Sequence, residues 1–179
     1  PVAPATPISR DELLRLRFTP QVFDELIRAY LSTGAGIAGV QPKIMIPDRA
    51  TVPIPSLIVK AAGASYPGLA ANEYLCLSAA QSAGIVTPSF ALSNDGQLLV
   101  LDRFDFIEHP DVRIERLGFE DIAALAGLRV RDVLSDRKYQ GSYQAIAELL
   151  KQLRLPRENL HRFFEQVAFS VMVRNLSLI

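Results

Sequence analysis

The first helical pattern in the chain begins near residue 19. Residues 1–8 are rich in Pro, Ala and Thr and predict a loose arm. Thr19 followed by Pro20 predicts a helix start, because the hydroxyl can cap the first turn and the proline ring presets the first helical angle. Apolar residues then recur at helical spacing: Phe23, Leu26, Ile27, Tyr30 and Leu31. Gly34 and Gly36 predict the end of this helix.

Shorter apolar runs after this helix predict strands around a second helix. The predicted strands are Lys43–Ile46, Pro55–Lys60, Phe90–Leu92 and Leu98–Leu101. Asn94-Asp95-Gly96 lies between the last two and is typical of a hairpin turn. The second helix, Leu69–Ala83, is followed by Gly84, a common helix terminator. From Phe119 onward only helices are predicted: Phe119–Leu125, Tyr143–Lys151 and Pro156–Arg174.

This order of elements predicts an α+β fold with two lobes, a small β-rich lobe followed by an all-helical lobe. The boundary is expected just after the strand that ends near Phe104. We therefore predict three regions: an N-terminal arm and helix at 1–33, the β-rich lobe at 34–105 and a partial helical lobe at 106–179. A cleft between two lobes is a common ligand site.

Composition and charge exclude several classes of protein. The chain has 179 residues, 49% of them apolar, and 19 basic residues balance 19 acidic ones, which indicates a folded domain rather than a disordered one. A net charge of zero gives no basic surface for direct DNA binding. No apolar run approaches the roughly 18 residues that span a bilayer. The single cysteine, Cys76, is predicted to be core, and without a visible signal peptide we expect a cytoplasmic protein. No metal-ligand spacing appears in the printed chain, so no metal site is predicted there.

A glycine-rich segment, Gly34 to Gly39, matches the pattern G-x-G-x-x-G. In the dinucleotide-binding fold this pattern follows a strand and opens a helix, whereas here it follows a helix and opens a strand. Such a segment can instead expose backbone N–H groups to phosphate oxygens, with Lys43 adding a positive charge. The alternative is an ordinary flexible connection.

Lys60 and Glu73 form a second candidate site. Lys60 ends an apolar strand, and Glu73 lies on the helix stripe that otherwise faces the core, in line with Leu69, Cys76, Ala80 and Ala83. A buried carboxylate is costly unless it is paired, and Lys60 is the nearest cation along the chain. A strand lysine paired with a helix glutamate is how kinase-type sites hold the lysine against nucleotide phosphates. Alternatively, both side chains reach solvent at the margins of their elements.

A third candidate is the end of the strand Leu98–Leu101, which runs into Asp102-Arg103-Phe104-Asp105. Backbone groups of this irregular segment could pair with the edge of a purine ring. The alternative is a strand end with a weak surface ion pair between Arg103 and either Asp102 or Asp105.

Taken in order, these segments resemble the HipA-type bacterial toxin kinase family. The resemblance extends over roughly residues 32–179. It rests on the following motifs: Gly39-Val40-Gln41-Pro42-Lys43, Leu57-Ile58-Val59-Lys60, Tyr66-Pro67-Gly68-Leu69 with Asn72-Glu73, Gly84-Ile85-Val86-Thr87-Pro88, Asp102-Arg103-Phe104-Asp105, and Lys138-Tyr139 before Ser142-Tyr143.

The resemblance implies a protein-kinase-like two-lobe fold, in which residues 34–105 form the nucleotide-binding lobe, and the cofactors ATP and Mg²⁺. It implies that the ATP-binding residues are Ala38, Gly39, Val40, Gln41, Pro42, Lys43, Lys60, Asp102, Arg103 and Phe104. Lys60 would contact the phosphates with Glu73 as its partner, and these two are the implied catalytic residues. Family members phosphorylate a Ser or Thr of a protein. Characterised relatives modify aminoacyl-tRNA synthetases and act with a helix-turn-helix antitoxin, so DNA is expected only through that partner and no membrane is expected.

Two positions depart from the family pattern. The serine that several relatives autophosphorylate is replaced by Gly36 or Ala38. In the family, a buried helix is followed by a catalytic loop that reads approximately N-x-D-x-H-x-x-N. Here the buried helix is predicted at Phe163–Val173, and Asn175 fits the start of the loop. Leu176 then follows Asn175 directly, without the rest of the loop pattern. Because the chain also opens without Met, we expect it to be part of a longer kinase. An intact mass of 19.7 kDa, measured on the natural protein, would contradict this expectation. The alternative function is a catalytically inactive HipA-like binding module.

Overall fold

A four-stranded antiparallel sheet organises the first of two compact units, which comprise Pro1–Glu115 and Arg116–Ile179. The computed structural model describes residues 8–31, 43–46, 56–62, 67–111, 113–118, 120, 122–127 and 141–174. The elements of the first unit begin with α1 (Arg10–Arg15), α2 (Pro20–Leu31), β1 (Lys43–Ile46), β2 (Leu57–Ala61), α3 (Leu69–Ser82), β3 (Phe90–Leu92) and β4 (Leu98–Asp102). They are followed by β5 (Phe106–Glu108), β6 (Ile114–Arg116), α4 (Ile122–Leu125), α5 (Tyr143–Gln152) and α6 (Arg157–Met172).

The sheet has the strand order β1-β2-β4-β3, and helices cover both of its faces. Leu57, Val59 and Ala61 point to one face, where they pack with Leu13 of α1 and Leu26 of α2. Lys60, between Val59 and Ala61, points to the other face, where it contacts Glu73 of α3. Because both faces are covered, four consecutive residues of β4 are buried: Leu98, Leu99, Val100 and Leu101.

The predicted helix α3 and the predicted hairpin β3–β4 are both present. Helix α3 follows Gly68, which has a φ of +78°, a conformation that glycine adopts without a Cβ penalty. In the hairpin turn Gly96 has a φ of +73°, and its N–H donates to the Ser93 carbonyl at 2.8 Å. The predicted cap of α2 is also confirmed, since the Val22 N–H donates to Thr19 Oγ1 at 3.2 Å.

The N-terminal helix α1 was not predicted, although its start carries a recognisable signal. Ser9 and Glu12 form a reciprocal capping box, in which the Glu12 N–H donates to Ser9 Oγ at 3.2 Å and the Ser9 N–H to Glu12 Oε2 at 2.8 Å. The last turn of the helix is anchored to the β3–β4 turn: Asn94 N–H donates to the Leu14 carbonyl at 2.9 Å. Leu13 of α1 and Leu26 of α2 share a core with the sheet.

Asp95 is the second anchor between the N-terminal segment and the β3–β4 turn. Its carboxylate accepts hydrogen bonds from Phe18 N–H at 2.7 Å, Ser93 Oγ at 2.7 Å and Gln97 N–H at 3.1 Å. Desolvation by burial raises the pKa of Asp95, but these hydrogen bonds outweigh it and hold the pKa below its ordinary value.

We expect Asp95→Ala to lower the free energy of unfolding by about 1–2 kcal/mol at neutral pH, because it removes three hydrogen bonds to a charged acceptor. Since the folded pKa is lowered, this stabilisation is present above the unfolded pKa of about 3.9 and is lost as the pH falls through the folded pKa. Urea unfolding at pH 7 and pH 3 checks this, and Asp111→Asn, in an exposed pair 3.8 Å from Arg113, is the control. An equal deficit of Asp95→Ala at both pH values would contradict the assignment.

Two short strands that the sequence pattern did not predict, β5 and β6, lie in the region between Phe104 and Phe119. Strands β5 and β6 form a two-stranded sheet, and His109 N–H donates to the Arg113 carbonyl at 2.9 Å in the turn between them. Each strand is three residues long. Three residues give no detectable alternation of apolar and polar positions, which explains why the pattern did not reveal them.

The second unit contains a pair of packed helices, α5 and α6. Ser142 caps α5, since the Ala145 N–H donates to Ser142 Oγ at 3.1 Å. The helix predicted at Phe163–Val173 lies within and just beyond α6, but the prediction that it is buried is wrong. Only Ser170 is buried among the described residues of α6, and Phe164 is 71% and Met172 81% exposed. The described part of this unit places α5 against one side of α6 only, which leaves these apolar side chains uncovered.

Candidate functional site

Lys60 and Glu73 meet on the face of the sheet that α3 covers. Strand β2 directs Lys60 to this face because its neighbours Val59 and Ala61 pack into the opposite core. Helix α3 directs Glu73 inward together with its buried residues Ala70, Cys76, Leu77 and Ala80. Lys60 Nζ donates a hydrogen bond to Glu73 Oε1, so the structure brings together the two residues that the sequence paired.

The two partners differ in exposure. The side chain of Glu73 is 6% exposed, whereas that of Lys60 is 20% exposed. A carboxylate removed from water at this depth requires a cation or several donors, which the ammonium supplies. Among the described residues Glu73 is the hydrogen-bond partner of Lys60. An ammonium has three donors, so Lys60 can hold Glu73 and still offer donors to an anionic ligand on its exposed side.

Lys43 lies directly opposite Lys60 in the register of β1 and β2. The predicted loop residues Ala38, Gly39, Val40, Gln41 and Pro42 lie outside the described residues.

The segment Asp102–Phe104 continues from β4 and uses its first two backbone donors within the protein. Asp102 N–H donates to the Ser89 carbonyl and Arg103 N–H to the Ser56 carbonyl, both at 2.9 Å. These two N–H groups are therefore not offered to a ligand. A purine at this edge would have to use carbonyl oxygens here, or donors further along the chain. The Phe104 side chain that follows is 60% exposed.

Arg103 is held by Asp105 and Phe106. Its Nε lies 2.8 Å from Asp105 Oδ1 and its Nη2 lies 2.5 Å from Asp105 Oδ2, a bidentate pair. Its guanidinium carbon lies 4.6 Å from the centre of the Phe106 ring. The side chains of Arg103 and Asp105 are 11% and 12% exposed. Of the two partners proposed from the sequence, the structure selects Asp105, and the pair is shielded rather than a weak surface contact.

We expect Arg103→Lys to lower the free energy of unfolding by about 1–2 kcal/mol, because lysine cannot reproduce a bidentate pair or stack in the same way. Arg113→Lys is the matched control, since Arg113 forms an exposed pair with Asp111 at 3.8 Å. We expect that control to change stability by less than about 0.5 kcal/mol. Urea unfolding measures both variants, and equal effects at the two sites would show that shielding of the Arg103 pair is unimportant.

The remaining candidates are placed as follows. Cys76 is buried in α3, which confirms that it belongs to the core. His109 lies in the β5–β6 turn, 2.9 Å from Glu115, and His161 is exposed on α6. Asn175, the predicted start of the catalytic loop, lies outside the described residues. Within the described part of the chain no three His, Cys, Asp or Glu residues cluster as metal ligands, and no helix there is long and apolar enough to cross a membrane.

Fold and site together define a small antiparallel sheet that carries a buried lysine–glutamate pair, followed by helices. The sequence model of the HipA-like C-terminal domain matches residues 35–176, more than three quarters of the chain. The chain therefore belongs to the HipA-like family. A comparison with curated proteins found no match. The matched range includes Lys43, Lys60, Glu73 and the segment 102–104, whereas α1 and α2 precede it.

Proposed function

We propose that this protein is an ATP-dependent serine/threonine protein kinase of a toxin–antitoxin system. The observation that carries the proposal is the buried pair of Lys60 on β2 and Glu73 on α3. A lysine on a central strand, fixed by a glutamate on the adjacent helix, is the arrangement with which kinases hold nucleotide phosphates. Membership of the HipA-like family supports the same activity.

The Lys60–Glu73 pair supports this proposal by its charge and by its position on the sheet. Lys60 would steady phosphate oxygens while Glu73 fixes its ammonium. Lys43, at the position of β1 opposite Lys60, ends the proposed phosphate loop. The segment from Ala38 to Lys43 would cover the phosphates with backbone N–H groups. Asp102–Phe104 would meet the adenine edge. In-line phosphoryl transfer then depends on positioning and charge stabilisation, with no covalent enzyme intermediate required.

Mg²⁺ is part of the proposed chemistry because the family resemblance implies Mg-ATP. The described residues do not include a cluster of three His, Cys, Asp or Glu side chains that could hold Mg²⁺.

Under this proposal the sheet of the first unit is the small lobe of a kinase-like fold, and α5 and α6 belong to its helical lobe. The substrate is a protein Ser or Thr, and an aminoacyl-tRNA synthetase is the candidate suggested by the family. A helix-turn-helix antitoxin is the expected partner. The net charge of zero supports a role in which that partner, rather than this chain, contacts DNA.

The test uses the full-length protein, purified without its partner. Calorimetry with ATP and with Mg-ATP measures nucleotide binding, and incubation with [γ-³²P]ATP and candidate synthetases measures transfer. The kinase proposal expects binding together with ³²P on a Ser or Thr of the substrate. Absence of ATP binding would overturn it.

The second candidate function is a non-catalytic nucleotide-binding module that sequesters a protein partner. Binding of ATP by the full-length protein without ³²P transfer, together with capture of the antitoxin or synthetase, is the result that this candidate predicts.

A further inference from the structure

Arg10 connects the N-terminal helix α1 to the end of β4. Its Nη1 donates to Ser89 Oγ at 2.9 Å, and its Nη2 lies 2.9 Å from Asp102 Oδ1. The second contact is an ion pair whose alignment falls short of hydrogen-bond geometry. Ser89 and Asp102 are themselves joined, since the Asp102 N–H donates to the Ser89 carbonyl at 2.9 Å. One guanidinium thus bridges the residue before β3 and the last residue of β4.

The side chains of Arg10 and Asp102 are 29% and 45% exposed, but residues beside both of them are buried in the core. Leu13, one turn after Arg10 on α1, is 0% exposed and packs in the same cluster as Leu98 and Val100 of β4. Leu101, which precedes Asp102, is 6% exposed. An exposed ion pair contributes little to stability by itself, but packing of the backbone on both sides limits the conformations in which Arg10 and Asp102 can separate.

We propose that Arg10 is a positioning residue for the nucleotide base, an inference that rests on the proposed ATP-binding function. Asp102 is the first residue of the segment that would meet adenine, and Arg10 fixes both its carboxylate and its neighbour Ser89. Arg10 lies before the range 35–176 that the family model matches, so the contacts of Arg10 with Ser89 and Asp102 come from the N-terminal segment of this chain.

The physical consequence is specific to the base. Without Arg10 the Asp102 carboxylate keeps its negative charge but loses the cation beside it. The end of β4 also loses its side-chain contact with α1. The segment 102–104 then samples more conformations, and a base that binds there must first order it. The phosphates are proposed to bind at Lys60, on the sheet face that α3 covers, so they do not depend on this contact.

The experiment compares two ligands on the full-length protein by calorimetry. ATP carries a base and three phosphates, whereas inorganic tripolyphosphate carries phosphates alone. We expect Arg10→Ala to weaken ATP binding by about tenfold and tripolyphosphate binding by less than about twofold. Arg15→Ala, at the exposed other end of α1, is the control and should leave both affinities unchanged.

An equal loss of both ligands would show a general structural or electrostatic effect and would overturn the inference, as would an unchanged affinity for ATP. If wild-type protein binds no ATP, the proposed function fails together with the inference. If Arg10→Ala does not fold, Asp102→Asn tests the same contact from the other side. We expect that variant to lose affinity for ATP but not for tripolyphosphate, and the opposite selectivity would overturn the proposal.

Discussion

Replacing Lys60 with alanine is expected to lower phosphoryl transfer from ATP by at least about 100-fold, the usual effect of removing one charge-stabilising donor from an active site. Lys60 is the cation that the structure holds on the covered face of the sheet, and Glu73 fixes its ammonium. Initial rates of ³²P incorporation by the full-length protein measure the loss of transfer, and calorimetry with ATP measures the loss of binding.

The same substitution leaves Glu73 without its cation. Because the Glu73 side chain is 6% exposed, its carboxylate cannot regain water, and we expect Lys60→Ala to lower the free energy of unfolding by roughly 3 kcal/mol. The fold should persist at 25 °C, and a urea unfolding curve verifies this. Loss of transfer in a protein that is still folded then reports on the site rather than on stability.

A double variant separates activity from stability more sharply. Lys60→Met with Glu73→Leu replaces the buried pair by apolar side chains, a change that is often neutral or stabilising. We expect it to regain most of the stability lost by Lys60→Ala while transfer remains absent. Transfer at the wild-type rate by this double variant would remove Lys60 from the catalytic machinery.

Lys151→Ala is the matched control for Lys60→Ala. Lys151 pairs with Glu148 on α5 at 2.7 Å, but their side chains are 55% and 57% exposed. Removal of an exposed lysine from an i,i+3 pair should change stability by less than about 0.5 kcal/mol. The contrast between the two lysines tests whether burial of the carboxylate, and not the presence of an ion pair as such, decides the effect.

The sequence predicted those parts of the fold that local patterns determine. The bounds of β1 and β3 agree with the predicted runs, and α3 begins at the predicted Leu69. The pairing of Lys60 with Glu73 could be inferred from two local signals. Helical spacing places Glu73 on the stripe that otherwise faces the core, and a buried carboxylate needs a cation, of which Lys60 is the nearest along the chain.

The contacts that depend on residues distant in sequence could not be inferred in this way. No local pattern indicates that Arg10 reaches Asp102, or that the Phe18 N–H donates to Asp95. These contacts follow from the docking of α1 and α2 on the sheet, which is decided by the shared core around Leu13 and Val59. Helix α1 itself was predictable from the capping box Ser9–Glu12, a signal that a search for apolar periodicity alone does not register.

Replacing Glu73 with glutamine is expected to affect catalysis more than nucleotide binding. The amide oxygen can still accept a hydrogen bond from Lys60, so the side chain keeps its shape but loses its charge. Under the proposed function, Lys60 then contacts the phosphates without a carboxylate beside its ammonium. We expect ATP affinity to stay the same or rise, while kcat falls by about tenfold because the ammonium is no longer fixed in one position.

Stability should distinguish the two members of the pair. Lys60 is 20% exposed and can turn its ammonium toward water when Glu73 becomes neutral, so Glu73→Gln should cost less than Lys60→Ala, about 1 kcal/mol against roughly 3. Glu148→Gln, at the exposed pair on α5, is the control for the loss of a carboxylate charge. A higher KM with an unchanged kcat would mean that Glu73 only supports ligand binding. A lower kcat with retained affinity is the result expected when a buried carboxylate positions the lysine that acts on the transferred phosphate.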